Sequence, residues 1–200
     1  MEKFSPVAEY YEVLGNAAGR LERERPFLLE CLRRAPGMRV VDMACGTGLH
    51  AEFFAQNGAE VTAFDLSPAM IDYAARHHCH PCIHYLVADM RESRGGPWDL
   101  AVCLGNSLSL LATPPDLNAA FQSLASGLTA GALFLCQILN YKGKAAQEPR
   151  HRLERAAGKD GPLVAVKSLV PHGERTLLAL HFFAERAGGM ETASDSAVLR

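Results

Sequence analysis

Residues 40–51, VVDMACGTGLHA, constrain this chain more than any other stretch. An apolar run ends on an acid, the chain turns through two glycines, and a helical pattern begins. A strand, a tight loop and a helix N-terminus are thus packed into a dozen residues. Gly46 and Gly48 suit such a loop because a side chain there would force a disfavoured φ or hold a ligand away from the backbone. Backbone N–H groups and the positive end of the helix dipole then face whatever lies above the strand, which is an arrangement for a nucleotide-like ligand.

Two ligands compete for that loop. Gly46-Thr47-Gly48-Leu49-His50-Ala51 satisfies the G-x-G-x-x-A pattern of dinucleotide binding, and Asp65 ends a second apolar run, VTAFD, nineteen residues after Gly46. An NAD-dependent oxidoreductase therefore stands as an alternative reading. Asp42 argues for the other ligand: a carboxylate at the strand tip repels a pyrophosphate and suits a cation, and S-adenosylmethionine carries both an ammonium and a sulfonium. With these residues in view, DMACGTG resembles the first motif of the class I S-adenosylmethionine-dependent methyltransferases, with Ala44 where that family often has glycine. The resemblance implies that Asp42, Ala44, Cys45, Gly46, Thr47 and Gly48 form the cofactor-binding loop.

The rest of the chain is consistent with one α/β domain. Its 200 residues build a single core, and strand-like apolar runs alternate with helical patterns. Helices are expected at 6–14 and 19–34, broken at Gly15 and Gly19, the second with an apolar face of Leu21, Phe27, Leu28, Cys31 and Leu32. Strands are expected at 38–43, 60–65, 83–88, 98–104 and 131–139, with helices at 47–57, 67–77 and 114–127. Near-continuous apolar strands such as LFLCQIL read as parallel and covered on both faces, so the fold class is a doubly wound, mostly parallel, Rossmann-like sheet.

Ligands of such sheets bind beyond the carboxyl ends of the strands. Asp42, Asp65-Leu66-Ser67, Asp89-Met90 and Leu104-Gly105-Asn106-Ser107 all fall at such ends. Asp65 suits the two ribose hydroxyls and Asp89 the adenine amine, with Leu66, Met70 and Met90 as apolar walls for the ring. The stretch AVCLGNSLSLL, residues 101–111, with Asn140-Tyr141 after the fifth strand, resembles the glycine and sarcosine N-methyltransferase branch of the family. From that branch come three further implications. The N-terminal helices form a lid from which Tyr10, Tyr11 and Arg20 reach the cofactor. Arg20, twenty-two residues before Asp42, holds the methionyl carboxylate in a forked ion pair. Asn140 and Tyr141 lie near the acceptor.

Beyond Tyr141 the βα rhythm stops. KGKAAQEPRHRLERAAGKDG reads as a polar connection, and LVAVKSLV, TLLALHFFAE and ETASDSAVL as an antiparallel meander, so residues 1–141 form the cofactor-binding core with its lid and 142–200 a cap within the same domain. Arg150, Arg152 and Arg155 offer a cationic edge, with Arg152 taken as a substrate-binding candidate. The resemblance also implies a last helix and antiparallel strand pair that are missing before Arg200. A bare fifth strand would then favour association, possible as a homo-oligomer, and a truncated non-catalytic cofactor-binding module is a further alternative.

Several classes are set aside. A net charge of −2 leaves no footprint for nucleic acid, no apolar run reaches bilayer length, and the first residues do not read as a signal peptide. Six scattered cysteines point to reduced thiols in a cytoplasmic protein. The segment His77 to His84, HHCHPCIH, has metal-ligand chemistry, but it joins a helix to the amino end of a strand and no metal is assigned to it. The expected reaction is methyl transfer to a small-molecule acceptor, an amine nitrogen, by in-line displacement with S-adenosyl-L-homocysteine as product. No dedicated catalytic base is assigned.

Overall fold

The computed structural model describes residues 8–11, 17–92, 95–111, 113–140, 147–158, 161–186 and 188–199. Five strands make a parallel sheet in the order β3–β2–β1–β4–β5: β1 Arg39–Met43, β2 Glu60–Asp65, β3 Ile83–Val87, β4 Trp98–Cys103 and β5 Leu128–Cys136. The chain starts in the middle, moves outward one way to β3, then crosses back to β4. The carboxyl ends of β1 and β4 therefore flank a switch point, where the connecting loops part and leave a crevice. Register places the strand tips in a row, with Asp42 level with Ala63 and Val102, and Asp65 level with Val87.

Alternation along the strands divides the core into two layers. Val40, Val61, Ala63, Leu100 and Val102 pack against α2 (Ala17–Arg34), α3 (Leu49–Gln56) and Ile71 of α4 (Pro68–His77). Val41, Met43, Ala101 and Cys103 pack on the other side with Leu124 of α5 (Pro114–Gly127). Helix starts are set locally. Ser67 caps α4 and Thr113 caps α5, each followed by proline in the first turn, where the missing N–H has no helical partner to lose. At the opposite end of the sheet the buried Asp99 accepts from the Arg39 guanidinium at 2.8 and 2.9 Å and from Thr129 Oγ1 at 2.9 Å, clamping β1, β4 and β5 together. That guanidinium holds the Asp99 carboxyl well below the usual carboxylate range.

A second sheet is antiparallel throughout, in the order β6 (Arg150–Gly158), β7 (Gly161–His172), β8 (Arg175–Arg186), β9 (Gly189–Leu199). Its apolar face has its own cluster, including Leu163, Ala165, Leu180, Phe182 and Ala197. That cluster is closed by Tyr10 of α1 (Ala8–Tyr11), whose ring stacks on Phe182 at 5.7 Å. The N-terminal helix is thereby seated on the C-terminal sheet.

Four details differ from the sequence reading. Helix α2 runs through Gly19, where a break was expected, because tertiary packing outweighs the modest helical penalty of one glycine. Phe27 is 58% exposed, whereas Leu21, Leu28 and Leu32 are buried, since 21, 28 and 32 share a helical stripe and 27 sits about 100° away from 28. RHRLERAAG, taken as polar connection, is strand β6, paired with β7 from Arg150 opposite Leu169 to Gly158 opposite Gly161. Strand β5 spans Leu128–Cys136, displaced from the expected 131–139, and forms the sheet's end, paired on one side with β4. The expected helix 6–14 extends outside the described residues, as does Gly15.

Leu28→Ala is expected to cost about 2–5 kcal/mol of stability in urea denaturation, and Phe27→Ala less than about 0.5 kcal/mol. A Phe27→Ala loss equal to that of Leu28→Ala would show that α2 presents a different face to the sheet.

Candidate active site

The turn after β1 is built from residues with left-handed backbone: Ala44 (φ 55°), Gly46 (φ 56°) and Gly48 (φ 90°). Ala44 adopts this conformation despite its Cβ, a local cost of order 1–2 kcal/mol that the surrounding fold offsets. Gly48 is glycine for a packing reason: a Cβ there would come within 2.5 Å of Tyr85 Oη and 2.9 Å of Ala74 Cβ. Gly46 is different, with nothing within 4 Å of a virtual Cβ. Gly46 keeps the loop surface open, and Gly48 lets the loop lie down on β3 and α4.

Above the loop is a cavity of about 610 Å³. Asp42, Ala44, Cys45, Gly46 and Thr47 line it from β1 and its turn; Asp65, Leu66 and Met70 from the β2 end and α4; Asp89 and Met90 from beyond β3; and Leu104, Gly105 and Asn106 from beyond β4. Tyr11 and Arg20 border it from the N-terminal helices. Of the residues read from sequence as reaching the cofactor, Gly48 and Tyr10 lie outside the wall, Gly48 in the bedding role just described and Tyr10 in the core of the antiparallel sheet against Phe182.

The charges in this cavity are unevenly satisfied. Among the described residues, two buried side-chain polar atoms lack a hydrogen-bond partner, Asp42 Oδ2 and Arg20 Nε, and both residues border the cavity. Arg20 Nε is 3.8 Å from Glu24 Oε1, beyond hydrogen-bonding distance. Burial pushes the Asp42 carboxyl from the ordinary 3.8 up to about 7, with Asp65 adding to the rise and His50 opposing it. Asp65 is better provided for, since Oδ2 accepts from Gly46 N at 3.0 Å and Oδ1 from Ser67 N at 2.9 Å. Burial raises its pKa while those backbone donors pull it down. Both Asp89 oxygens accept from Arg91, the shortest contact being 2.6 Å, and Arg91 also donates to Asp116 at 2.8 Å. Arg91 holds Asp89 below the usual carboxylate range, so this acid stays ionised and fixed in place.

Two wall residues escaped the sequence reading and organise the site. His50 Nε2 lies 3.0 Å from Glu24 Oε2, joining the helix after the glycine turn to α2, the helix that carries Arg20. Hydrogen bonding from His50 is the main reason the Glu24 carboxyl sits below its ordinary value. The second is Lys167 of β7, which lines the cavity together with Leu169, Leu178 and Leu199 of the antiparallel sheet. His50 was visible within the GLHA motif; Lys167 sits in the strand-like run LVAVKSLV and interrupts its apolar alternation.

The acceptor candidates are placed less directly. Asn140 is exposed and does not line the cavity, although its neighbour Leu139 does. Arg152 also lies off the wall, with Nε 2.7 Å from Glu154 Oε1, and Tyr141 is outside the described residues. Asn106 (φ 73°) acts as a brace, its Oδ1 accepting from Ser109 Oγ and from Leu139 N, both at 2.8 Å. In the 77–84 segment, His78 Nδ1 contacts Glu52 Oε2 at 2.6 Å and the His77 ring stacks on Tyr73 at 4.0 Å. Among the described residues, no group of three or more His, Cys, Asp and Glu is arranged to hold a metal ion.

Comparison with known proteins agrees with this architecture. A family profile described as a methyltransferase domain matches residues 40–131. Human glycine N-methyltransferase is 30% identical over 149 residues, covering 64% of this chain and 50% of that protein. The ubiquinone biosynthesis O-methyltransferase of Xanthomonas campestris pv. campestris (strain B100) is 33% identical over 110 residues, covering 52% and 44%. The chain spans about half the length of the curated relatives it matches. Among solved structures, Streptomyces venezuelae DesVI superposes with a TM-score of 0.83 at 24% identity, covering 96% of this chain and 82% of that one. The sugar N-methyltransferase KedS8 from Streptoalloteichus sp ATCC 53650 gives 0.78 at 23%, covering 96% and 78%. CalS10, an amino pentose methyltransferase from Micromonospora echinaspora in its SAM-bound form, gives 0.72 at 24%, covering 92% and 80%. These structural likenesses establish a shared fold.

The raised pKa of Asp42 sets a pH dependence with a definite sign. Between pH 3.8 and about 7 an unfolded chain ionises this carboxyl while the folded chain does not, so its contribution to stability falls as pH rises through that window and is level above it. Asp42→Asn is expected to remove that slope and to stabilise the unliganded chain at pH 8 by about 2 kcal/mol, measured by urea denaturation across pH. A variant less stable than wild type at pH 8 would mean the carboxylate is satisfied within the fold.

Proposed function

We propose that this chain, whose residues 40–131 match a methyltransferase-domain profile, is a class I S-adenosylmethionine-dependent methyltransferase that transfers a methyl group from that cofactor to an amine nitrogen of a small-molecule acceptor. The carrying observation is a pair of buried atoms at the cavity wall without a hydrogen bond, Asp42 Oδ2 and Nε of Arg20, whose guanidinium is held in an ion pair with Glu24 at 3.8 Å. A ligand with an ammonium and a carboxylate at one end answers both, and the methionyl end of S-adenosylmethionine has that form. A dinucleotide does not: its pyrophosphate would pass the Asp42 carboxylate with unfavourable charge.

Each wall group then has a task that its chemistry supports. Arg20 takes the carboxylate, held in position by a helix tied through Glu24 to His50. Asp42 takes the ammonium, and a cation beside it draws the carboxyl back to its ionised form. Asp65 keeps lone pairs for the ribose hydroxyls after its two backbone bonds are made. Asp89 with Leu66, Met70 and Met90 receives the adenine. When bound, the cofactor supplies an electrophilic methyl group on a sulfonium centre. This chain's own contribution is to fix orientation and exclude water, which suits a reaction whose charge is dispersed on the way to products.

Amine specificity rests on the glycine N-methyltransferase relative and on the sugar N- and amino pentose methyltransferases that share the fold. The leucines of the antiparallel sheet close the acceptor side of the cavity and keep it dry.

Titration calorimetry of S-adenosylmethionine is expected to show binding by wild type and none by Asp65→Ala, since that change removes the ribose acceptor and the tie to Gly46 together. Arg20→Met should weaken binding by about tenfold or more. Near wild-type affinity in Asp65→Ala would remove the ribose assignment. In a coupled S-adenosylhomocysteine assay, amines should support turnover, and turnover on hydroxyl compounds alone would move the acceptor atom to oxygen.

A further inference from the structure

Two of the six cysteines meet at the carboxyl ends of neighbouring strands, outside the cavity wall. Cys103 ends β4, Cys136 ends β5, and parallel register sets them side by side. Neighbouring strands run about 4.8 Å apart, inside the roughly 4.4–6.8 Å that a disulfide spans between Cα atoms. Their side chains share a face, because Ala101 and Phe134, paired two residues earlier, both pack in the layer beneath α5. The two thiols differ in access: Cys136 is exposed and Cys103 is fully buried. Burial pushes the Cys103 thiol up to about 12, with Asp42 and Cys136 adding to the rise, so by itself it is inert toward reagents in solvent.

Both cysteines are tied to the loop that forms one side of the cavity. The Cys103 sulfur accepts a hydrogen bond from the backbone N–H of Leu108, within the 3₁₀ turn Ser107–Leu110. Asn106, Ser107 and Leu110 around it line the cavity. Gln137, the residue after Cys136, reaches the same loop, its Oε1 accepting from Gly105 N at 3.1 Å. Drawing the Cys103 sulfur toward β5 gives up the Leu108 contact, and an N–H beside a buried leucine is costly to leave unpaired.

We propose that Cys103 and Cys136 are a peroxide-responsive modification site, whose disulfide draws Cys103 off Leu108, distorts the loop after β4 and weakens cofactor binding. The effect on the cofactor rests on the methyltransferase reading above; the thiol pair itself does not. A hydroperoxide meets the exposed Cys136 first. Its O–O bond breaks, one oxygen joins the sulfur as a sulfenic acid, and the Cys136 proton leaves with the other oxygen as water or an alcohol. The Cys103 sulfur then displaces the sulfenic hydroxyl, which departs with the Cys103 proton as water, and an S–S bond joins β4 to β5. Two thiols are oxidised and one peroxide is reduced, with no further reactant. A dithiol reductant reverses the change by thiol–disulfide exchange.

The test treats the full chain with hydrogen peroxide and follows a non-reduced peptide map, amide hydrogen exchange over residues 106–110, and S-adenosylmethionine affinity by calorimetry. Wild type should show Cys103 and Cys136 in one linked peptide pair, exchange faster over 106–110, and bind S-adenosylmethionine about tenfold more weakly, all reversed by dithiothreitol. Cys136→Ser should keep its affinity through the same treatment, and Cys136→Ala serves where serine disturbs β5. Absence of that linked pair, including a link confined to the exposed Cys79 and Cys82, overturns the proposal. So does a linked pair with unchanged affinity, or an equal loss in Cys136→Ser, which would place the damage on another group such as Met70 or Met90 of the wall. A reduced wild type that binds no S-adenosylmethionine defeats the methyltransferase reading and the claim on affinity. The peptide map and the exchange then still decide whether the disulfide forms and frees the loop.

Discussion

Asp65 accepts one backbone hydrogen bond from Gly46 and another from Ser67, and through them a single carboxylate ties the turn after β1 to the start of α4. The loop conformation, the placement of α3 and the open surface above Gly46 all depend on that tie. Parallel register makes it possible, because β1 and β2 end level with each other and the tip of one strand can reach the turn of the next. Each of its carboxylate oxygens keeps acceptor capacity after those bonds are made.

Free energy is given up repeatedly around this loop. Ala44 and Asn106 hold left-handed backbone without being glycine, and Asp42 is buried with an unpartnered oxygen. The cost is met elsewhere by ordinary packing, with Val40, Val41, Ala51, Phe54, Leu100 and Val102 all fully buried. Packing and unsatisfied polar groups thus fall on different levels of one sheet: the strand middles are apolar and well packed, and the tip of β1 carries a buried oxygen without a partner.

Much of this was legible in the chain. Unbroken apolar runs announce parallel strands, the G-x-G turn announces the crevice, and acids at strand tips identify a polar ligand because both periodicity and position are local properties. What escaped was decided by partners distant in sequence. RHRLERAAG becomes β6 only because β7 offers it a pairing edge, and Phe27 is exposed because one residue's shift around a helix turns a side chain away from the sheet. Arg91 reads as an ordinary surface residue until Asp116, twenty-five positions later, is brought beside it. Gly48 matched the ligand-contact pattern by its motif, yet its neighbours Tyr85 and Ala74 account for it. Tyr141 lies outside the described residues, and Asn140 stands one residue beyond the wall.

The two tyrosines of α1 are consecutive, and they belong to different parts of the molecule. Tyr10 is buried in the core of the antiparallel sheet against Phe182, and Tyr11 borders the cavity. Adjacent residues of one helical turn cannot move independently. The burial of Tyr10 therefore fixes where Tyr11 stands, so a single turn of helix registers the antiparallel sheet against the crevice of the parallel one.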